Sequence, residues 1–140
     1  MGAAFGLIQL KKLQTNLKKR VKNFQTHTKY FEKYSKYFIL PKQLPGSKSG
    51  WLAYPITLKK DIPFSRTAMQ IFLEKKNIQT RVVFTGNILR QPGFKKIKAI
   101  KNKNGYPEAD KVMKNGILIA CHHGLTSKMM NHIHNSIDDF

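Results

Sequence analysis

The chain has 140 residues, 41% of them hydrophobic, and sets 26 lysines and arginines against 7 acidic residues, a net charge of +19. That length suits one domain and that apolar share supplies a core, which excludes a disordered chain. No apolar run reaches the roughly 18 residues a membrane helix needs, and the lone Cys121 excludes an internal disulfide and cannot by itself hold a zinc or iron–sulfur site.

The opening stretch MGAAFGLIQL is apolar, but it has no basic residues before it and no small-residue cleavage site after it, so the chain is expected to be cytoplasmic. Leu10, Leu17, Phe24, Phe31 and Phe38 recur at intervals of seven, with Leu13, Val21, His27 and Tyr34 on adjoining positions. This predicts one apolar stripe on a helix running from about residue 2 to the mid-thirties. The polar face is almost all lysine, which would repel across a coiled-coil seam, so the stripe is expected to pack against the rest of its own protein. PKQLPGSKSG (41–50) reads as a loop and WLAYPITL (51–58) as a strand, with Pro55 marking an edge or a bulge. Asp61 favours a helix start, Pro63 sits near its first turn, and Asn77 is a stop; Phe64, Ala68, Ile71 and Phe72 form the expected buried face.

TRVVFTGNILRQPG (80–93) begins as a strand, with Val82, Val83 and Phe84 as pleat-fillers, then turns sharply at Thr85, Gly86 and Asn87. Residues 94–106 are basic and loop-like, and Pro107 starts a short helix through Met113, closed by Gly116. ILIAC (117–121) is a short buried strand, and Thr126 or Ser127 caps a last helix whose apolar face is Met130, Ile133 and Ile137. Three strands alternating with helices predict a small two-layer sandwich of the α/β (α+β) class.

Arginine occurs only at positions 20, 66, 81 and 90, and two of these bracket the Gly86–Asn87 turn. A planar guanidinium engages two oxygens at once, Gly86 permits close approach, and Asn87 offers a donor and an acceptor. A carboxylate of another, larger domain or of a second subunit is an equally natural partner for Arg81, and a competing one for Arg90. His122 and His123 are adjacent, so in a strand they would face opposite ways. One reading makes them imidazole donors to a ligand; the other makes one buried and one solvated. His132 and His134 read as surface, Cys121 as a small buried residue, and the aromatic residues at 30, 31, 34, 37 and 38 as core and interface. No carboxylate pairs with the histidines at metal-ligand spacing, and there is no phosphate-binding loop or nucleophile elbow. The lysines are dispersed, and the densest cluster, LKKRVK (17–22), lies inside the helical pattern. A nucleic-acid partner is therefore not expected, although non-specific affinity is.

GAAFGLIQLKKL resembles the helix that follows the cofactor-binding lysine region in the DegT/StrS-type family of pyridoxal-phosphate-dependent sugar aminotransferases. TRVVFTGNILRQPGF is similar to a more restricted signature, that of the branch that dehydrates CDP-4-keto-6-deoxyglucose at C3 in lipopolysaccharide deoxysugar synthesis. YPEADKVMKNGILIACHHGLTSKMMNHI continues the match in order and spacing. The resemblance implies the small C-terminal domain of a fold-type I enzyme: a long inter-domain helix over 1–40 and a small domain over 41–140, without the large cofactor-binding domain. It further implies pyridoxal or pyridoxamine phosphate held mainly by that other domain, a nucleotide-sugar substrate, a homodimer, and a reductase as a further partner. It implies substrate contacts at Arg81, Asn87, Arg90, Gln91, His122 and His123, no catalytic residue in this chain, and no activity for it alone. A sugar aminotransferase stays open, because the cofactor-facing lysine or histidine that separates the two lies outside these residues. A basic module recruited for binding alone is the reading from another class.

Overall fold

The computed structural model describes residues 2–100 and 102–140. Helix α1 spans Gly2–Phe31, and a 3₁₀ turn at Glu32–Tyr34 ends it. The seven-residue stripe divides in two. Phe24, His27 and Phe31 are buried, whereas Leu10 is 65% exposed and Leu13 40% exposed. Only the second half of the helix therefore packs against the body, so the expectation for the stripe holds for that half alone. Leu17 marks the changeover, where the chain at Gly50 lies against its side chain and Arg20 reaches the Gly50 carbonyl at 3.4 Å. Trp51 stacks on Phe24 with ring centres 3.9 Å apart, and its indole N–H donates to Gln43 Oε1 at 3.0 Å.

Among the described residues the sheet has four strands, one more than the sequence predicts. β1 (Phe38–Ile39), β2 (Ala53–Leu58), β3 (Arg81–Val82) and β4 (Gly116–Ala120) lie in the order β1-β2-β4-β3, every neighbouring pair antiparallel. Phe38, the last residue of the stripe, is thus a strand residue. β1 reaches only Thr57 and Leu58, so Pro55 lies beyond its end, where no ladder partner on that side needs an N–H. Burial alternates along β2 and β4. Tyr54, Ile56, Leu58, Ile117 and Ile119 face the core, while Ala53, Pro55, Thr57, Leu118 and Ala120 stay half-exposed.

Three helices cover the core face: α1 through Phe24 and Phe31, α2 (Arg66–Lys75) through Met69 and Leu73, and α4 (Ser127–Asp138) through Ile133 and Ile137. That is the expected two-layer arrangement, with some elements displaced. α2 starts at Arg66 rather than near Asp61, because the Ser65 hydroxyl accepts the Ala68 N–H at 3.1 Å, whereas Asp61 takes φ 60° in the preceding turn. The buried face is correspondingly Met69 and Leu73; Ala68 and Ile71 face solvent. Asn77 is the stop, at φ 60°: its N–H bonds the Glu74 carbonyl and the Ile78 N–H that of Leu73, a left-handed cap closed by the buried Ile78–Leu73 contact. β3 ends after two residues because Phe84 turns to φ 45°, which leaves its ring 86% exposed rather than in a pleat.

Candidate functional site

The four arginines separate by their partners. Arg66 Nη1 donates to the Met113 carbonyl at 2.7 Å, closing the C-terminal end of α3 (Pro107–Asn115). Arg20 serves the Gly50 carbonyl. Arg90 forms a two-pronged pair with Asp110 on α3, Nε to Oδ1 at 3.0 Å and Nη2 to Oδ2 at 2.7 Å. Asn87 adds Nδ2 to the same Oδ1 at 2.8 Å, and its own Oδ1 accepts the Leu89 N–H at 3.1 Å. The Arg90 guanidinium and the Asn87 amide hold the Asp110 carboxyl down at about 2. Gln91 donates back to the Thr85 carbonyl at 3.1 Å. The close approach at Gly86 is to Met113, because a β-carbon there would fall 2.2 Å from that residue's Cβ. The turn expected to hold a ligand is therefore pinned to α3, with the Arg90 fork taken by an acid of this same chain.

The Arg81 guanidinium, alone of the four, makes no hydrogen bond or ion pair with the described residues. It stands opposite Leu118 across the sheet and lines a groove of about 680 Å³. The floor is apolar, built from Ala53, Leu118, Ala120 and Met129; the rim carries Arg81, Lys128, His122 and His132, and no acidic residue lines it. His122 follows β4 in a turn rather than continuing the strand. Its Nδ1 accepts the Gly124 N–H at 3.1 Å, so the neutral ring bears its hydrogen on Nε2 as a donor. His132 lies 2.8 Å from the Lys76 carbonyl through Nε2, which must therefore carry a hydrogen. Such a groove suits an amphiphilic anion: apolar contact for a ring, cations for the charge.

The structure thus brings Arg81 and His122 together and sets Asn87, Arg90 and Gln91 apart, in the turn pinned to α3. His123 turns away, its Nδ1 3.5 Å from Arg20 Nη2. Lys128, His132 and Asp110 were missed from sequence. Asp110 offered only the weak signal of being one of 7 acids in the chain, since it lies 20 positions from Arg90. His134, read as surface, is instead half-buried, hydrogen-bonded to His27 and stacked on Tyr30. Among the described residues no group of three or more His, Cys, Asp or Glu is placed to hold a metal ion, and no helix is long and apolar enough to cross a membrane.

The model of the DegT/DnrJ/EryC1/StrS aminotransferase family matches residues 1–138. The chain belongs to that family. A dTDP-4-dehydro-2,6-dideoxy-D-glucose 3-dehydratase of Saccharopolyspora spinosa is 32% identical over 102 residues, which is 73% of this chain and 22% of that protein. The lipopolysaccharide biosynthesis protein RfbH of Salmonella typhimurium is 29% identical over 140 residues, all of this chain and 32% of that protein. Among solved structures, GDP-4-keto-6-deoxy-D-mannose-3-dehydratase of E. coli with bound hydrated PLP superposes with a TM-score of 0.83 at 25% identity, over 95% of this chain and 33% of that one. The chain spans about a fifth to a third of the length of the DegT/DnrJ/EryC1/StrS relatives it matches.

Proposed function

We propose that this chain is the C-terminal part of a nucleotide-sugar enzyme dependent on pyridoxal or pyridoxamine phosphate, one that removes the C3 hydroxyl of CDP-4-keto-6-deoxyglucose. In this reading the groove meets the substrate's pyrophosphate. The observation that carries it is the Arg81 guanidinium, which has no partner among the described residues and stands on a rim free of carboxylates. A guanidinium there pairs two phosphate oxygens at once, His122 Nε2–H and Lys128 add donors, and the apolar floor takes a ring face. The 83–91 turn, fixed by Asp110 and carrying the exposed Phe84, acts as a rigid wall for the site or its neighbour, and His123 supports from behind. A reductase and a second copy of the intact enzyme belong to the same reading.

The cofactor is a different matter. A pyridine ring needs a carboxylate at its nitrogen as well as a phosphate cup, and no carboxylate lines the groove. The described residues therefore do not fit the cofactor by themselves, and its chemistry belongs to a domain beyond them.

Amide correlation spectra of the chain, titrated with CDP, dTDP, GDP and a DNA oligonucleotide at low and high salt, test the reading. CDP is expected to move resonances of Arg81, His122 and Lys128, and Arg81→Ala to weaken it roughly tenfold or more. Shifts spread over the α1 lysines, equal for DNA and lost steeply with salt, would instead mark a polyelectrolyte binder.

A further inference from the structure

Behind the groove, α1 and α4 are joined through two imidazoles. His27 is fully buried. Its Nε2 lies 2.9 Å from the Ala120 carbonyl and its Nδ1 lies 3.1 Å from His134 Nε2. A carbonyl only accepts, so His27 Nε2 carries a hydrogen. In the neutral ring Nδ1 is then a bare lone pair, and His134 Nε2 must supply the hydrogen between them. Geometry alone writes one arrangement: His134 donates to His27, and His27 donates to the last residue of β4. The rings are clamped in place, His134 stacked on Tyr30 with centres 3.8 Å apart and His27 set 5.0 Å from the Tyr54 ring. Ala120 lines the groove, and His122 stands two residues further on.

We propose that His27 and His134 form a proton-sensitive positioning clamp: while both rings are neutral it holds the end of β4, and the His122 corner of the groove, to α1 and α4, and a proton added at His27 Nδ1 releases α4 from it while His27 keeps its bond to Ala120. That proton would set two N–H groups facing each other across the present 3.1 Å contact, with no acceptor between. Cys121 and the exposed Glu32 act on Tyr54 rather than on the imidazoles. The groups facing the pair are Tyr30, Lys33, Tyr34, Asp138 and Tyr54. Asp138 is the only anion among them, and its Oδ1 already receives Lys33 Nζ and the Tyr34 hydroxyl, each at 2.6 Å, with the Tyr30 hydroxyl at 2.6 Å and shared with the His134 carbonyl. Lys33 opposes a charge on His134, and Tyr54 and Cys121 stay neutral, their burial pushing both upward, the thiol to about 11. Burial holds His27 below the ordinary imidazole value, and burial with the neighbouring His27 holds His134 down to about 4.

The clamp does not depend on what the groove binds. Imidazole nitrogen spectra of the labelled full chain, followed from about pH 7.5 to about pH 4 with the Ala120 carbonyl carbon and the Cys121 amide, test it. Both rings are expected as the Nε2–H tautomer at neutral pH and to titrate below the ordinary imidazole value, His134 the lower at about 4, with the Ala120 and Cys121 signals moving as His27 takes up its proton while α2 amides stay put. His134→Gln offers a replacement donor and is expected to keep His27 neutral and Nε2-protonated. An Nδ1–H tautomer of His27, titration of either ring near 6.5, an unmoved Ala120 signal, or loss of every amide at once would overturn the clamp. The wild-type spectra suffice even if the variant does not fold.

Discussion

Gly86 is the most tightly enclosed of the described glycines. Its backbone sits at φ 63°, and a β-carbon would meet Met113 at 2.2 Å from Cβ and 2.5 Å from Cα. Backbone atoms of a helix do not yield as a flexible side-chain tip would. Gly86→Ala is expected to lower stability by at least about 1–3 kcal/mol in urea unfolding, and to lift the turn off α3 so that the Arg90–Asp110 pair loosens. Thr126 is a simpler case. Its hydroxyl accepts the Met129 N–H at 3.2 Å at the start of α4. Thr126→Ala is expected to cost about 1 kcal/mol, measured the same way, and Thr126→Ser much less.

α1 shows how far an element can be read from its own sequence. The period of seven located the helix and its apolar side, because periodicity is a property of the chain itself. Which half of that side would be covered was not legible, since a helix does not encode the surface opposite it. Phe31→Ala is therefore expected to cost about 3–5 kcal/mol, and Leu10→Ala no more than about 0.5 kcal/mol, in equilibrium unfolding of this chain. The same distinction explains the other misses. Ser65 displaced Asp61 as the cap because the first free helical N–H groups lay within reach of its hydroxyl alone. β3 stopped early because the left-handed Phe84 broke a run that propensity alone would have extended. His134 lay at the flank of the α4 apolar face, where only the presence of Tyr30 decides between water and protein. At the site, Arg81 and His122 were legible as unusual residues at element ends. The intrachain claim of Asp110 on Arg90 was not, because ion pairs between distant elements leave no period.

For the molecule as a whole, acid acts in two separate windows. His134 falls from 6.5 in the unfolded chain to about 4 when folded, so the unfolded chain takes up its proton first. The stability tied to the neutral ring is complete above 6.5 and declines as pH falls from there through about 4. Asp138 falls from 3.8 to about 2 because Lys33, Tyr30 and Tyr34 hydrogen-bond its charged form; its contribution is present above 3.8 and is lost as pH falls through about 2. Thermal midpoints measured across this range are expected to show both declines, and His134→Gln to shrink the upper one to the share carried by His27 while leaving the lower. A single decline confined to the carboxylate window would show that the buried rings carry no proton linkage.

The stacking of Trp51 on Phe24 has a practical consequence. It is the chain's one tryptophan, and it sits where the 41–50 loop meets the middle of α1. Its fluorescence is thus a built-in optical gauge of that single seam. Emission recorded during unfolding reports when the loop peels from the helix, and stays silent to events confined to α4 or the far edge of the sheet.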